Sequence, residues 1–215
     1  MGCRRSLRGS QPPHLDFNIA VRTRALGPLA ELYLSATTPE TRRGIGNVLS
    51  NLREPITAVS GLVAGDLDLA TSAAARFGIN STLGLGGFHD PATDIGFPRR
   101  NFGIADAACS WGVPSGPFLM LPLLGPSTFR DAGALAAQSA ALSDVLGTDI
   151  YLAWSGSDLF VGYAQLHHEL ERVEAESLDS YAVYRSAYLQ RRATVCPVDR
   201  APAAAGDEDT GPETP

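Results

Sequence analysis

A chain of 215 residues that is 44% hydrophobic suits one domain with a sizeable core and short flanking segments. Its net charge of −6 is uneven: Asp207, Glu208, Asp209 and Glu213 crowd the last nine residues and leave only about −2 for the rest. All basic side chains apart from histidine are arginines, and no basic patch interleaved with aromatics occurs, which argues against nucleic acid as a partner. The three cysteines, Cys3, Cys109 and Cys196, have no metal-ligand spacing; a disulfide is neither required nor excluded, and Cys109 reads as a small buried hydrophobe.

In chain order, residues 1–15 read as a flexible Gly/Ser/Pro-containing lead, without the apolar core of a signal peptide. Apolar residues recur irregularly from Asp16 to Leu34, broken at Gly27-Pro28. Thr38-Pro39-Glu40 is a helix start, with a hydroxyl for the cap, a proline for the first turn and an acid for the positive helix end. Ile45, Val48, Leu49 and Leu52 then share a face. Pro55 separates this helix from another bearing Ile56, Val59, Leu62 and Val63 on one side. Gly65 stops that helix and Asp66 caps a third, in which Ala70, Ala73 and Ala74 permit close helix approach. Residues 83–97 form a glycine-rich turn segment, followed by a short helix over 102–111.

From Ala107 to Phe129 the chain runs 23 residues without a charge. That length would cross a bilayer as a helix, but Pro114, Pro117, Pro122 and Pro126 forbid one. Such a segment must be wrapped by protein, or lie where lipid and protein meet with its backbone groups satisfied. Ser127 is the expected cap of an alanine-rich helix ending at Leu146. The strongest periodicity follows, with Leu159, Tyr163, Leu166, Leu170 and Val173 marking a helix that packs on a helix. A further helix carries Leu178, Tyr181, Tyr184, Tyr188 and Arg192, and residues 194–215 read as a disordered acidic, Pro/Ala-rich tail. No run of alternating β-branched residues occurs, so the class is all-α.

Catalytic constellations are poor. Leu83-Gly84-Leu85-Gly86-Gly87-Phe88-His89-Asp90 lacks the spacing of a nucleotide loop and a preceding strand. In a turn before Pro91, Asp90 caps backbone groups rather than forming a dyad with His89. His167 and His168 point about 100° apart on a helix, and His167 with Glu171 supplies too few ligands, so this stretch reads as a solvated face and no metal is expected. No catalytic residue, enzyme activity or cofactor is expected. Arg76 and Asn80 at i and i+4, and Arg130-Asp131 beside the apolar stretch, read first as ion-pair networks, with contact to a lipid head group as the sharper alternative. The tyrosine stripe reads as helix-packing surface, with a membrane–water boundary left open.

Three ordered blocks then carry a resemblance. Asn47-x-x-x-Asn51-Leu52-x-x-Pro55 is followed by Arg76-Phe77-x-Ile79-Asn80-Ser81-x-Leu83-Gly84-x-Gly86-Gly87-x-x-Asp90. Next comes Trp111-Gly112-Val113-x-x-Gly116-Pro117-Phe118-x-x-Leu121-Pro122-x-x-Gly125-Pro126-Ser127-x-x-Arg130-Asp131. Tyr181-x-x-x-Arg185-x-x-Tyr188-x-Gln190-Arg191-Arg192 closes the domain, 16–193. This resembles the MlaA (VacJ) family of outer-membrane lipoproteins.

The resemblance implies a ring of amphipathic and proline-broken helices in the periplasmic leaflet of the Gram-negative outer membrane. It implies an amphipathic channel that removes mislocalised phospholipids from the outer leaflet and passes them to a periplasmic carrier, with an outer-membrane porin trimer as partner. Asn47, Asn51, Arg76, Asn80, Asp90, Arg130 and Asp131 are then expected to brace the ring or line the lipid path. Trp111, Phe118, Leu119, Leu121, Leu123 and Leu124 form the apolar membrane or channel segment. An envelope structural protein that moves no lipid is the alternative, and a soluble helical enzyme a third reading. The family's export signal, lipidated cysteine and first motif block are not visible here. The expectation is a start downstream of the true one or a lost signal, with Cys3 not itself the lipidated residue. Asn101, Phe118 and Ser60 stand where the family often has Asp, Tyr and Asn; Phe118 cannot make a phenol's hydrogen bond.

Overall fold

The computed structural model describes residues 13–199. The expected lead through residue 12, Cys3, and the tail from 200 onward lie outside the described residues. The described residues are helical almost throughout. α1 (Pro13–Val21) passes through a five-residue π turn (Arg22–Leu26) directly into α2 (Gly27–Ala36). Gly27-Pro28 therefore does not break the segment. Pro28 sits in the first turn of α2, where no N–H is needed, and the wider π turn before it accommodates the ring.

α3 (Pro39–Asn51) begins as expected, with Thr38 accepting from the Thr41 amide. α4 (Glu54–Ala64) ends at Gly65 in the left-handed region, and Asp66 caps α5 (Leu67–Thr82) by accepting from the Leu69 amide at 2.8 Å. A one-turn helix α6 (Pro91–Asp94) and α7 (Ile104–Ser110) follow. The apolar stretch then forms a small antiparallel hairpin, β1 (Phe118–Leu121) against β2 (Gly125–Thr128), pairing Phe118 with Thr128 and Leu121 with Gly125. Proline and glycine deny this segment a helix, and a hairpin satisfies its backbone instead. α8 (Phe129–Leu146) is capped by Thr128 rather than Ser127: the Thr128 hydroxyl accepts from the Asp131 amide, whereas the Ser127 hydroxyl donates to the Thr128 carbonyl. α9 (Thr148–Glu176) is the longest helix, and α10 (Ser180–Val195) leads into a 3-10 turn at Pro197–Asp199. Residues 194–199, assigned in the sequence to the tail, thus belong to the fold.

Helix contacts close a circuit. α9 packs on α3, α3 on α5, α5 on α4, α4 on α7, α7 on α8, and α8 returns to α9. α2 lies on α9, while α10 touches both β2 and α9. This all-α ring, with one hairpin set in it, is the architecture expected.

The burial of its helices is not. α4 buries Glu54, Thr57, Ser60 and Gly61, and exposes Val59, Leu62 and Val63 by about half or more. α5 buries Arg76 and Asn80 beside Leu69, Ala70 and Ala73, and exposes Leu67, Phe77 and the following Leu83. On α9 the buried residues are Val161, Ala164 and His167, while Leu159 and Leu166 of the predicted packing stripe are exposed. Close approach selects the smaller face: a Cβ at Gly61 would lie 2.9 Å from the Ala70 amide nitrogen. The larger side chains are left outside. Among the described residues no helix is long and apolar enough to cross a membrane.

Candidate functional site

The polar interior between α4 and α5 centres on Arg76, whose side chain is 1% exposed. Helical spacing of four puts Arg76 and Asn80 on one face, toward the turn that carries Asp90. Arg76 Nε donates to Glu54 Oε1 at 2.6 Å, and Nη2 donates to both oxygens of Asp90 at 3.1 Å. Its Nη1 donates to Thr93 Oγ1 and to the Phe97 carbonyl. Asn80 donates to Asp90 Oδ1 at 2.9 Å and accepts from the Ala92 amide at 3.0 Å. Burial pushes the Asp90 carboxyl upward, but the bonds from Thr93, Asn80 and Arg76 outweigh it and hold the group down to about 2. Burial alone would lower the Arg76 guanidinium, yet the flanking Glu54 and Asp90 raise it. Arg76 therefore stays charged, and the cluster is a satisfied ion-pair node.

Asn51 and Asn47 extend this node along α3. Asn51 is buried, donates to Ser81 Oγ at 2.9 Å and packs so closely on Gly87 that a Cβ there would lie 2.6 Å from its own. Gly87 has φ of +95°, so both its conformation and its neighbour require glycine. Asn47 is half-buried, donates to the Phe88 carbonyl at 3.2 Å and accepts from Arg99 Nη2 at 3.5 Å. Arg99 Nη2 also lies 3.6 Å from Asp90 Oδ2. Asn47, Asn51, Arg76, Asn80 and Asp90, read from separate motif blocks, thus meet around one turn segment. Glu54 is the member that sequence reasoning missed. The signal for it was the need of a buried arginine for a counter-charge. Ser60 is fully buried, and its hydroxyl finds no partner among the described residues.

A second node surrounds Arg130 at the start of α8. Nη2 and Nη1 form a fork onto Asp199 at 2.7 and 3.2 Å, Nη1 also donates to the Val113 carbonyl, and Nε donates to Asp131 Oδ1 at 3.0 Å. Asp131 accepts from the Tyr188 hydroxyl and pairs with Arg192 Nε at 3.1 Å; Arg192 Nη1 reaches Asp106 Oδ1 at 2.6 Å. Burial favours the neutral form of Asp199, but Arg130 more than compensates and lowers its pKa. Burial, with the Asp131 carboxylate beside it, raises the Tyr188 phenol.

Cys109 of α7 is disulfide-bonded to Cys196 beyond α10, rather than standing as a lone buried hydrophobe. A separation of 87 residues hid that pairing. Asp199 was missed because it lies in the stretch read as tail, and Asp106 because no local pattern marks it.

The predicted apolar segment is largely outward. Trp111 is 71% exposed, its indole N–H donating to the Val63 carbonyl at 2.8 Å, and Leu123 and Leu124 project from the hairpin turn. Phe118, Leu119 and Leu121 are half-buried. Phe118 meets Tyr181 and Tyr188 edge to face, at 5.8 and 6.0 Å between ring centres. Tyr184 instead hydrogen-bonds Glu174 and lies beside Arg22. His89 is exposed while the Asp90 carboxylate is turned to Arg76 and Asn80. His167, expected on a solvated face, is buried, with Nδ1 2.8 Å from the Tyr163 hydroxyl. The reason is the choice of packing face on α9 noted above. Between α3 and α9 lies an apolar cleft of about 390 Å³, lined by Ile45, Val48, Leu49, Phe88, Phe160 and Val161 with Ser157.

The family model described as MlaA lipoprotein matches residues 13–195. A Rickettsia felis protein is 31% identical over 130 residues, covering 60% of this chain; the chain spans about half of that relative's length, 52%. The intermembrane phospholipid transport system lipoproteins MlaA of Shigella flexneri and Escherichia coli are 32% and 30% identical over 178 residues, covering 76% of this chain and 66% of theirs. A solved structure from work on the maintenance of bacterial outer-membrane lipid asymmetry superposes with a TM-score of 0.69 at 28% identity, covering 85% of this chain and 94% of that one.

Proposed function

The chain belongs to the MlaA lipoprotein family, and from that premise we propose that it transports phospholipid at the outer membrane. In this reading it takes mislocalised phospholipid from the outer leaflet through an amphipathic passage. It releases the lipid to a periplasmic carrier while seated in the periplasmic leaflet beside a porin trimer. The observation that carries the reading is the inversion of α4 and α5. Their ions and amides face inward, and Val59, Leu62, Val63, Leu67 and Phe77 face outward. In water that arrangement forfeits the burial of several large side chains, each worth about 1.5–3 kcal/mol. In a lipid leaflet the same faces are already in an apolar medium, and Glu54, Arg76 and Asn80 are paired inside. The exposed Trp111, Leu123, Leu124 and Phe129 extend this surface. The disulfide supports an oxidising compartment such as the cell envelope.

A lipid needs apolar room for its chains and polar contacts for its phosphate. The cleft between α3 and α9 offers the first, and Asn47 and Arg99, next to Phe88 at its wall, offer the second. Moving a lipid breaks no covalent bond, so the proposed activity calls for neither a catalytic residue nor a redox cofactor.

Membrane fractionation of the protein expressed in a Gram-negative host, with mass spectrometry of lipid bound to the purified chain, tests this. Outer-membrane recovery with co-purified phospholipid is the expected result. The double variant Leu62→Asp/Val63→Asp is expected to keep its circular dichroism and leave the membrane fraction. Outer-membrane recovery without lipid, and without lipid transfer between vesicles, would assign an envelope structural role instead. A wild-type protein that stays in solution without detergent would overturn the reading.

A further inference from the structure

Where α2 lies on α9, four side chains outside both ion-pair nodes converge. Glu31 Oε1 of α2 is 3.2 Å from His167 Nε2 and 3.8 Å from His168 Nδ1. Glu171, one turn further along α9, sets Oε1 3.7 Å from His167 Nε2 and Oε2 3.9 Å from His168 Nδ1. The donor atoms of Glu31, His167 and His168 all lie within 4.8 Å of one another. A tetrahedral zinc with bonds of about 2.1 Å needs its donors about 3.4 Å apart. The 3.2 and 3.8 Å separations from Glu31 Oε1 to the two imidazoles lie close to that value, and Glu171 turns one carboxylate oxygen toward each ring.

The two imidazoles meet although they are adjacent on a helix, because they use different nitrogens. His167 presents Nε2 and His168 presents Nδ1. His167 is held in place: its side chain is 3% exposed, its ring lies beside Gly27, where an added Cβ would stand 3.4 Å from Cε1, and Nδ1 is 2.8 Å from the Tyr163 hydroxyl. With that hydroxyl accepting from Nδ1–H, the Nε2 lone pair is free for a metal, the outer-shell arrangement usual for metal-bound histidine. Glu31, His168 and Glu171 are more than half exposed, so an ion has access, and two carboxylates neutralise a divalent charge.

We propose that Glu31, His167, His168 and Glu171 form a zinc site that clips α2 to α9. A donor set that mixes imidazole nitrogen with carboxylate favours zinc over magnesium or calcium, which prefer oxygen alone and higher coordination. The site shares no residue with the lipid path, so it stands or falls separately from the transport reading.

Zinc chloride titrated calorimetrically into the full-length, chelator-treated protein tests the site. One equivalent binding with Kd in the micromolar range or below is expected. His168→Ala and Glu31→Gln, both at exposed positions, are expected to weaken binding at least tenfold while preserving the circular dichroism. His89→Ala is expected to leave it unchanged. X-ray absorption at the zinc edge is expected to show two imidazoles with oxygen donors. No binding at 100 equivalents of zinc, or equal binding by the wild type, His168→Ala and Glu31→Gln, would overturn the proposal.

Discussion

Asn18 and Leu123 are joined across more than a hundred residues: the Asn18 carboxamide oxygen accepts from the Leu123 amide at 2.7 Å, while its Nδ2 donates to the Leu121 carbonyl at 2.9 Å. One buried side chain of α1 thereby satisfies two backbone groups at the turn of the hairpin. Leu123 there has φ of +65°, a region unfavourable to branched side chains, so the turn depends on being held. Asn18→Ala is expected to destabilise the protein by about 2–3 kcal/mol, and Asn18→Asp, which sets a buried carboxylate oxygen against the Leu121 carbonyl, by at least as much. Guanidinium unfolding gives the size, and faster hydrogen exchange at the Leu123 amide locates the effect.

The Arg76–Glu54 pair is expected to behave as a buried unit. Arg76→Met leaves the enclosed Glu54 carboxyl without its partner, at a cost of about 3–5 kcal/mol. Adding Glu54→Gln is expected to recover part of that loss, giving a coupling of about 1–3 kcal/mol in a double-mutant cycle. Additive losses would mean that the two side chains act independently.

Asp90 makes stability depend on acid. Its carboxyl titrates at about 2 in the fold against an ordinary 3.8, so the folded state binds this proton more weakly than the unfolded chain. The resulting stabilisation is complete above about pH 4 and disappears as pH falls through 2. It amounts to about 2 kcal/mol. Asp90→Asn is expected to flatten the stability profile between pH 4 and 2 by that amount, read from denaturant midpoints at each pH. Parallel profiles would contradict the assignment.

The Cys109–Cys196 bond closes a loop of 87 residues, for which chain entropy gives a stabilisation of about 3–5 kcal/mol. Cys109→Ser is expected to lower the melting temperature as far as dithiothreitol lowers that of the wild type. Dithiothreitol is expected to have no further effect on the variant.

Helix boundaries were legible in the sequence where a local rule sets them. Thr38, Asp66 and Gly65 each stop or start a helix by bonding or conformation within one turn. Burial was legible less often, because a period of 3.6 fixes which residues share a face and not which face turns inward. On α4 the apolar face was found correctly and lies outside; on α9 Leu159 and Leu166 do the same. The site residues Arg76, Asn80 and Asp90 stood out as charge and amide set among small and apolar residues. Glu54 against Arg76, Asp199 against Arg130 and Asp106 against Arg192 did not, since a counter-ion is identified by three-dimensional proximity, which spacing along the chain does not encode. The disulfide was hidden for the same reason, and the zinc site because the direction of each imidazole depends on rotamers.

The inverted α4 also reverses the customary reading of natural variation. In a water-soluble helix, exposed positions drift freely among polar residues while interior ones are confined to apolar types. With α4 seated in lipid as proposed, Val59, Leu62 and Val63 should exchange readily with one another's side chains yet exclude Lys and Glu, and the enclosed Glu54, Thr57 and Ser60 should resist replacement by Leu or Val. A pathogenicity or tolerance score trained on soluble domains would therefore rank substitutions along this helix in the wrong order.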